Sequence, residues 1–362
     1  MSVYEKRLQQ DLELIRAKVI QLGEEVEKAL RDSMHALFNH DDILANQVIL
    51  FDRVIGRQEK TTLRACLGAM ARHLPTAGHL RFLMSIYRMV YELERIGDYA
   101  VTISREAINL THVPEGLLRR ELETMSANAR TMLTQSLNAF RENDVGLAHG
   151  TMAMSKQMGM ELDQSIEILV EVGDKHVEKT HDLLDLASVF YMLERVSDRA
   201  ENICEEILFA LTGEEKAEKV FNILFLDEDN SSLAPLAALT GSRIYPVSAR
   251  FSFASRNPGA TFNPHLVRWY TQQQGAEPKL ERPNSLSSEE LNGADLIISL
   301  EGTVRSYVPD IPFHAAFQDW NLGDAPDPGD ESAARRRFEE VQRTLIIKLR
   351  GLMDILRGEE GV

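Results

Sequence analysis

The chain has 362 residues, of which 44% are hydrophobic and 27% are charged, and its formal net charge is −16 at pH 7. This balance is typical of a globular protein of two or three domains, and it excludes nucleic acid, whose phosphates require a basic surface. Cys66 and Cys204 follow no metal or redox spacing, which fits a reducing compartment. No run of about 18 apolar residues is present, and the N-terminus lacks a signal-peptide core. We therefore expect a cytoplasmic protein.

Helical periodicity dominates the first 213 residues. Apolar residues at steps of three and four run from Tyr4 to Leu37 and predict one long amphipathic helix. His40, Pro75 and Pro114 mark breaks in this pattern. The remaining segments with the same periodicity are 43–71, 79–110, 116–142, 145–172 and 178–212. The sequence therefore predicts six helices.

A short phrase recurs in the third and sixth predicted helices, as LERIGD at 93–98 and LERVSD at 193–198, 100 residues apart. Residues 91–106 and 191–206 share eight identities in sixteen positions. Self-similarity at a fixed period indicates duplication of a structural unit. We therefore predict two three-helix bundles, residues 1–112 and 113–213, that pack along their lengths.

The pattern changes after Gly213, which is placed as a helix C-cap. Short apolar runs follow a charged linker at 214–219 and predict strands: FNILFL at 221–226, RIYPVS at 243–248 and DLIISL at 295–300. Segments rich in Gly, Pro and Asn separate these runs. Such alternation predicts an α/β domain with a parallel sheet over 220–357, ending in a helix from about 332 to 356.

The repeated phrase places two carboxylates on one helical face, because residues i and i+4 are neighbours on a helix. The pairs are Glu94 with Asp98 and Glu194 with Asp198. The second face continues through three more polar residues: Glu201, Asn202 and Glu205. Like charges at this spacing repel, so a divalent metal or a basic partner surface would relieve the repulsion. A solvated face, neutralised in part by the arginine beside each glutamate, is the alternative without function.

These motifs, with LPTAGHLR at 74–81, resemble the paired acidic motifs of the PhoU family over about residues 1–213. The resemblance implies a non-enzymatic regulator that represses phosphate uptake and phosphate-starvation signalling when phosphate is plentiful. It also implies a transition metal, iron or zinc, on the acidic faces. The implied partners are the ATPase of a phosphate ABC transporter or another phosphate transporter, and a phosphate-sensing histidine kinase. Contact with the membrane would occur only through these partners, and a homodimer stays open.

The family's motif matches the second acidic face in full as metal ligands: Glu194, Asp198, Asn202 and Glu205. The first face matches at Glu94 and Asp98 but departs from the motif at Thr102 and Arg105, where the family favours Asn and Glu. Asp52 matches an acidic position on the second helix of the first repeat. We therefore expect the second face to hold metal better than the first.

The segment LFLDEDNSSLAP at 224–235 predicts a strand, a loop and a helix. With VSAR at 247–250 and GADLIISL at 293–300, it resembles low-molecular-weight protein tyrosine phosphatases and arsenate reductases over about 220–357, which implies a four-stranded parallel sheet. Those enzymes need a cysteine thiolate and an arginine six positions later, in a loop whose N–H groups hold the phosphate. Here Asp227 and Leu233 take those positions. We predict a degenerate phosphate loop, marked by Asp227, Asn230 and Leu233, in a domain without activity.

Two other functions stay open. One is an active phosphatase or arsenate reductase, which the missing cysteine disfavours. The other is an adaptor whose acidic faces bind basic partner surfaces without metal. Glu178 and His181 also have the Glu-x-x-His spacing of di-iron bundles. Such sites need a second Glu-x-x-His motif on another helix, and the sequence has none, so we interpret these two residues as a solvated helix start.

Overall fold

The computed structural model describes residues 3–175, 179–214, 219–275, 277–278, 282–312, 314–324 and 330–357. The chain divides into two compact units, Met1–Lys216 and Ala217–Val362. Within the described ranges, no helix combines the length and the apolar character that crossing a membrane requires.

The N-terminal unit is a helical bundle built from two successive sets of helices. Its helices are α1 (Val3–Asn39), α2 (Asp42–His73), α3 (Ala77–Asn109), α4 (Gly116–Glu142), α5 (Val145–Met152), α6 (Ser155–Asp174) and α7 (Thr180–Thr212). Asp41 caps α2 and Asp144 caps α5, each accepting a backbone N–H three residues later. Gly213 ends α7 at φ 78°, a conformation that suits glycine and confirms the predicted C-cap.

One predicted helix differs from the structure. The segment predicted as a single helix at 145–172 is divided into α5 and α6 by a tighter turn, in which the N–H of Met154 donates to the carbonyl of Thr151. Ala153 and Met154 keep right-handed helical angles, so the chain continues in roughly the same direction. Apolar periodicity survives such a local tightening, and the sequence pattern therefore did not reveal it.

The contacts between α3 and α7 reproduce the duplication. Arg88 on α3 donates to Glu206 on α7 at 3.0 Å, and Ser188 on α7 donates to Glu106 on α3 at 2.8 Å. Each residue of one contact is 100 positions from its counterpart in the other. The two helices therefore run antiparallel and the two repeats are related by an approximate twofold axis between them. Apolar side chains of all these helices meet in one core, with Leu22, Leu93 and Phe190 fully buried.

The C-terminal unit is an α/β fold with a four-stranded parallel sheet in the order β2-β1-β3-β4. Its elements are β1 (Phe221–Leu226), α8 (Leu233–Ile244), β2 (Ala249–Ala254), α9 (Pro264–Gln274), α10 (Ser288–Gly293), β3 (Leu296–Ser299), α11 (Val304–Tyr307), β4 (Ala316–Asp319) and α12 (Glu331–Arg357). Alternate residues of β1 enter two cores, as strand geometry requires. Ile223 and Phe225 pack with Phe338 of α12, and Leu224 and Leu226 pack on the opposite side of the sheet.

The prediction of a strand at 243–248 is wrong. Residues 243 and 244 complete α8, and the strand begins only at Ala249. Pro246 lacks the N–H that a central position in a sheet needs, which favours the observed turn between α8 and β2. The runs FNILFL and DLIISL do form β1 and β3, and the last helix lies where periodicity predicted it.

Candidate functional site

The acidic face of the second repeat lies on α7. The side chains of Glu194 and Asp198 are 21% and 34% exposed. Burial and the neighbouring Asp198 raise the pKa of Glu194, whereas Arg195 and Arg199 lower it. Arg195 places Nη1 3.4 Å from Asp198 Oδ2 and Nε 3.8 Å from Glu194 Oε2. Arg195 therefore supplies part of the positive charge that this face requires.

Other polar residues extend this face. Asn202 and Glu205 follow along α7 at helical spacing and are half-buried. Asp163 on α6 also lies close enough to raise the pKa of Glu194. The sequence analysis missed Asp163, because its approach to Glu194 depends on how α6 and α7 pack. The face therefore draws carboxylates from two helices.

The acidic face of the first repeat combines α3 with α2. Burial raises the pKa of Glu94, and the carboxylates of Asp98, Glu59 and Asp52 raise it further. Burial and Asp52 raise the pKa of Asp98, whereas Arg95 and Arg105 lower it. Nη1 of Arg95 lies 3.7 Å from Asp98 Oδ2. The structure thus brings Asp52 to the predicted pair and adds buried Glu59, which sequence analysis missed. Glu59 lies seven residues after Asp52, on the same side of α2.

The donor chemistry of both faces fits a divalent metal ion, since carboxylate oxygens, with an amide on the second face, are ligands that such ions accept. Within the described ranges, neither face brings three His, Cys or carboxylate ligand atoms within 4.8 Å of one another. A bound metal would therefore draw these carboxylates together and displace the arginine that now lies beside them.

One other place in the described parts of the chain does bring three such ligands together: His181, Asp182 and Asp185, at the start of α7. Burial and the nearby Glu106 raise the pKa of Asp185, whereas the imidazole of His181 lowers it. The sequence analysis had set His181 aside as part of a solvated helix start. Glu178, its proposed companion, lies outside the described residues.

The segment that the sequence predicts to be a degenerate phosphate loop joins β1 to α8. Asp227 is 2% exposed, and Asn230 and Leu233 are fully buried. Oδ1 of Asp227 accepts the N–H of Asn230 at 2.6 Å, and Oδ2 accepts the N–H of Ala234, in the first turn of α8, at 2.8 Å. Asn230 adopts φ 58°, a left-handed conformation that asparagine tolerates well. The carboxylate of Asp227 therefore accepts hydrogen bonds from backbone N–H groups of the kind that bind anions at a helix N-terminus.

The environment of this carboxylate is acidic as well as buried. Burial raises the pKa of Asp227 to about 7, with Glu301 and Asp229 adding to the rise and the two backbone N–H groups opposing it. Leu233 starts α8, and its side chain offers no hydrogen-bond donor to the loop. The loop therefore holds a buried carboxylate that accepts two of its own backbone N–H groups, with a leucine at position 233.

Comparisons with known proteins found relatives of two kinds. Part of the chain is similar in structure to the low-molecular-weight protein tyrosine phosphatase from T. tengcongensis, with 19% identity over 36% of this chain and 99% of that one and a TM-score of 0.31. At this level of similarity we draw no conclusion about activity.

The N-terminal unit has much closer relatives. The family model of the PhoU domain matches it twice, at 19–107 and 122–207. The phosphate-specific transport system accessory protein PhoU homolog of Pseudomonas aeruginosa is 31% identical over 206 residues, which are 56% of this chain and 84% of that protein. The crystal structure of PhoU from Pseudomonas aeruginosa aligns with 57% of this chain and 99% of its own, at 30% identity and a TM-score of 0.55. The chain therefore belongs to the PhoU family.

Proposed function

We propose that this protein restrains phosphate transport and represses the phosphate-starvation response when phosphate is plentiful. One observation carries this proposal: the N-terminal unit shares 31% identity with an accessory protein of a phosphate-specific transport system over 84% of that protein's length. The two tandem bundles of the N-terminal unit are the parts that correspond. The partners we propose are the ATPase of a phosphate ABC transporter, or another phosphate transporter, and a phosphate-sensing histidine kinase. The protein would act in the cytoplasm and approach the membrane only through them.

We propose further that the acidic faces hold a transition metal, iron or zinc. The raised pKa values of Glu194, Glu94 and Asp98 support this, because burial and mutual repulsion make these carboxylates costly until a cation neutralises them. The second face is the stronger candidate, with Glu194, Asp198, Asn202 and Glu205 as ligands. On the first face, Arg105 lies near Asp98 and supplies positive charge of its own.

An adaptor without metal is the alternative for the same faces. In that case the lysines and arginines of a partner would neutralise the carboxylates that a metal otherwise neutralises. Elemental analysis of protein purified without chelators separates the two, since the adaptor carries no stoichiometric transition metal.

The C-terminal unit is proposed to be a catalytically inactive domain with a role in interaction or signalling. The carboxylate of Asp227 supports this, because it holds the N–H groups of Asn230 and Ala234 that a phosphate would need. Cysteine phosphatases depend on a thiolate of low pKa and on donors that hold the phosphate oxygens. Neither requirement is met by Asp227 and Leu233.

Enzymatic assays of the intact protein should therefore show no hydrolysis of aryl phosphates and no thiol-dependent arsenate reduction above background. Asp227→Cys with Leu233→Arg should stay inactive as well, because Glu228 and Asp229 repel a dianion and raise the pKa of the new thiol. Turnover by the unmodified protein at about 1 s⁻¹ or faster would show that the domain is an enzyme after all.

Transcript levels in the host test the signalling half of the proposal. Deleting the gene should raise the expression of phosphate-starvation genes in phosphate-replete medium, and supplying the intact chain should restore repression. Expression that stays at the repressed level in the deletion strain, with no second PhoU-family gene present, would refute the regulatory role.

A further inference from the structure

The start of α7 carries a polar cluster that belongs to neither acidic face. Asp182 is 2% exposed and Asp185 is 8% exposed, so two carboxylates are buried one turn apart. Their ligand oxygens and the Nδ1 of His181 all lie within 4.8 Å of one another. The imidazole of His181 is itself exposed, at the solvent edge of the cluster.

Part of this cluster has an evident structural role. Asp182 accepts the N–H of Thr111 at 3.3 Å and also accepts a short hydrogen bond from the hydroxyl of Thr111. Thr111 belongs to the segment that joins α3 to α4, so Asp182 ties the connection between the two repeats to α7. These hydrogen bonds account for the burial of Asp182, and they leave the burial of Asp185 unexplained.

Asp185 is 8% exposed, and the neighbour of its Oδ2 within the described residues is the imidazole of His181. The same oxygen lies 2.8 Å from His181 Nδ1 and thus faces into the cluster. A buried carboxylate whose charge only an exposed imidazole neutralises is costly while that imidazole is uncharged, and a bound cation would lower this cost. The observation therefore points to a cation in contact with Asp185.

The duplicated repeat gives an internal comparison. Counted back by 100 residues, Asp182 and Asp185 correspond to Phe82 and Ser85. At that end of the bundle the carboxylate of Glu206 is paired with Arg88, whereas at the α7 end the equivalent Glu106 receives only the hydroxyl of Ser188. Within the described residues, no Lys or Arg forms an ion pair with Asp182, Asp185 or Glu106. The second repeat therefore gains two carboxylates where it loses a guanidinium.

A second imidazole completes the set. His112, next to Thr111, places Nδ1 4.0 Å from Oδ2 of Asp182. We propose that His181, Asp185, Asp182 and His112 form a zinc-class divalent metal site, which fastens the connection between the two repeats to the start of α7. Two imidazoles with two carboxylates are a donor set that such ions accept in four-coordinate sites.

The distances are compatible with this site. Zinc binds imidazole nitrogen and carboxylate oxygen at about 2.0–2.2 Å, so two ligands of one tetrahedral ion lie roughly 3.3–3.6 Å apart. The 2.8 Å between His181 Nδ1 and Asp185 Oδ2 is shorter than this separation, and the 4.0 Å between His112 Nδ1 and Asp182 Oδ2 is longer. Both imidazoles are exposed, so each can move the short distance required without disturbing the core.

Zinc titration of the intact, chelator-treated protein tests the site. A variant with Glu194, Asp198, Glu94 and Asp98 all changed to alanine serves as the background, because it removes the paired carboxylates of both acidic faces from the measurement. In this background we expect calorimetry to show a zinc site, and His181→Gln with Asp185→Asn to weaken its Kd at least tenfold. Co²⁺ in place of Zn²⁺ should give visible absorption bands that the same two substitutions abolish.

The controls separate ligand loss from misfolding. His79→Gln changes an exposed histidine in the first turn of α3 and should leave zinc binding unchanged. His181→Gln alone alters only an exposed side chain, so it should weaken binding while far-UV circular dichroism stays that of the parent. Zinc binding that is equal with and without the two substitutions, or absent from the background protein, overturns the proposal. Because the background lacks the paired carboxylates of both acidic faces, this result is independent of whether those faces bind metal.

Discussion

Replacing both Glu194 and Asp198 with alanine should remove most of the transition metal that the protein carries when it is purified without chelators. Both carboxylates are half-buried, and Asp198 is less exposed than its counterpart Asp98 on the first face, at 34% against 43%. Alanine removes both the ligand oxygens and the negative charge that makes cation binding favourable. Mass spectrometry of the elements in the purified variant gives the metal content directly.

Two matched variants show whether this loss is specific. Glu167 and Glu171 form an exposed pair at the same i, i+4 spacing on α6, so changing both to alanine should leave the metal content unchanged. Glu94→Ala with Asp98→Ala should remove less metal than the changes at 194 and 198. If the Glu194/Asp198 variant keeps the metal content of the parent protein, the assignment of the second face is wrong.

The stability of the C-terminal unit should fall as pH rises from about 4 to 8. The pKa of Asp227 is raised in the folded state to about 7, from an ordinary value of 3.8. Over this interval the folded unit therefore holds a proton that the unfolded chain has released. Its stability is greatest below the unfolded pKa and is lost as pH rises through the folded one. The full difference between these values corresponds to about 4 kcal/mol.

Tryptophan fluorescence makes this measurement possible in the intact protein. The chain has two tryptophans, Trp269 and Trp320, and both are buried in the C-terminal unit. Urea unfolding followed by their emission should give a free energy of unfolding that falls with pH in the parent and changes much less in Asp227→Asn. The slope of the free energy of unfolding against pH is the quantity to compare. The absolute values are not comparable, because asparagine lacks one of the two acceptor oxygens of Asp227 and therefore lowers stability at every pH.

A control for this experiment is Asp310→Asn, an exposed carboxylate of the same unit, which should keep the parent's slope. A parent protein whose C-terminal unit keeps constant stability over this range, or becomes more stable as pH rises, would contradict the buried position of Asp227.

The helical half of the fold could be predicted because its signals are local. Apolar periodicity located the helices, and the period of 100 residues between LERIGD and LERVSD revealed the duplication. The strand β2 was misplaced because the apolar run around Pro246 has strand composition, while the true strand, ARFSFA, alternates polar and apolar residues. Composition alone could not decide between the two neighbouring segments.

The site residues that sequence reasoning missed are those whose contacts cross between elements. Asp163 reaches Glu194 from another helix, and Asp182 accepts its hydrogen bonds from Thr111, 71 residues away. The loop at Asp227 shows the same limit. Its sequence indicated repulsion of a phosphate dianion, but only the structure shows the carboxylate taking the N–H groups of Asn230 and Ala234.

Phosphate uptake by intact cells tests the proposed function most directly. Labelled phosphate should enter cells that lack the gene several times faster than it enters parent cells in phosphate-replete medium, and the intact chain should restore the slow rate. The variant lacking Glu194 and Asp198 should restore it only in part if the acidic face of α7 takes part in regulation. Equal uptake rates in parent and deletion cells, with no second PhoU-family gene to compensate, would contradict the account.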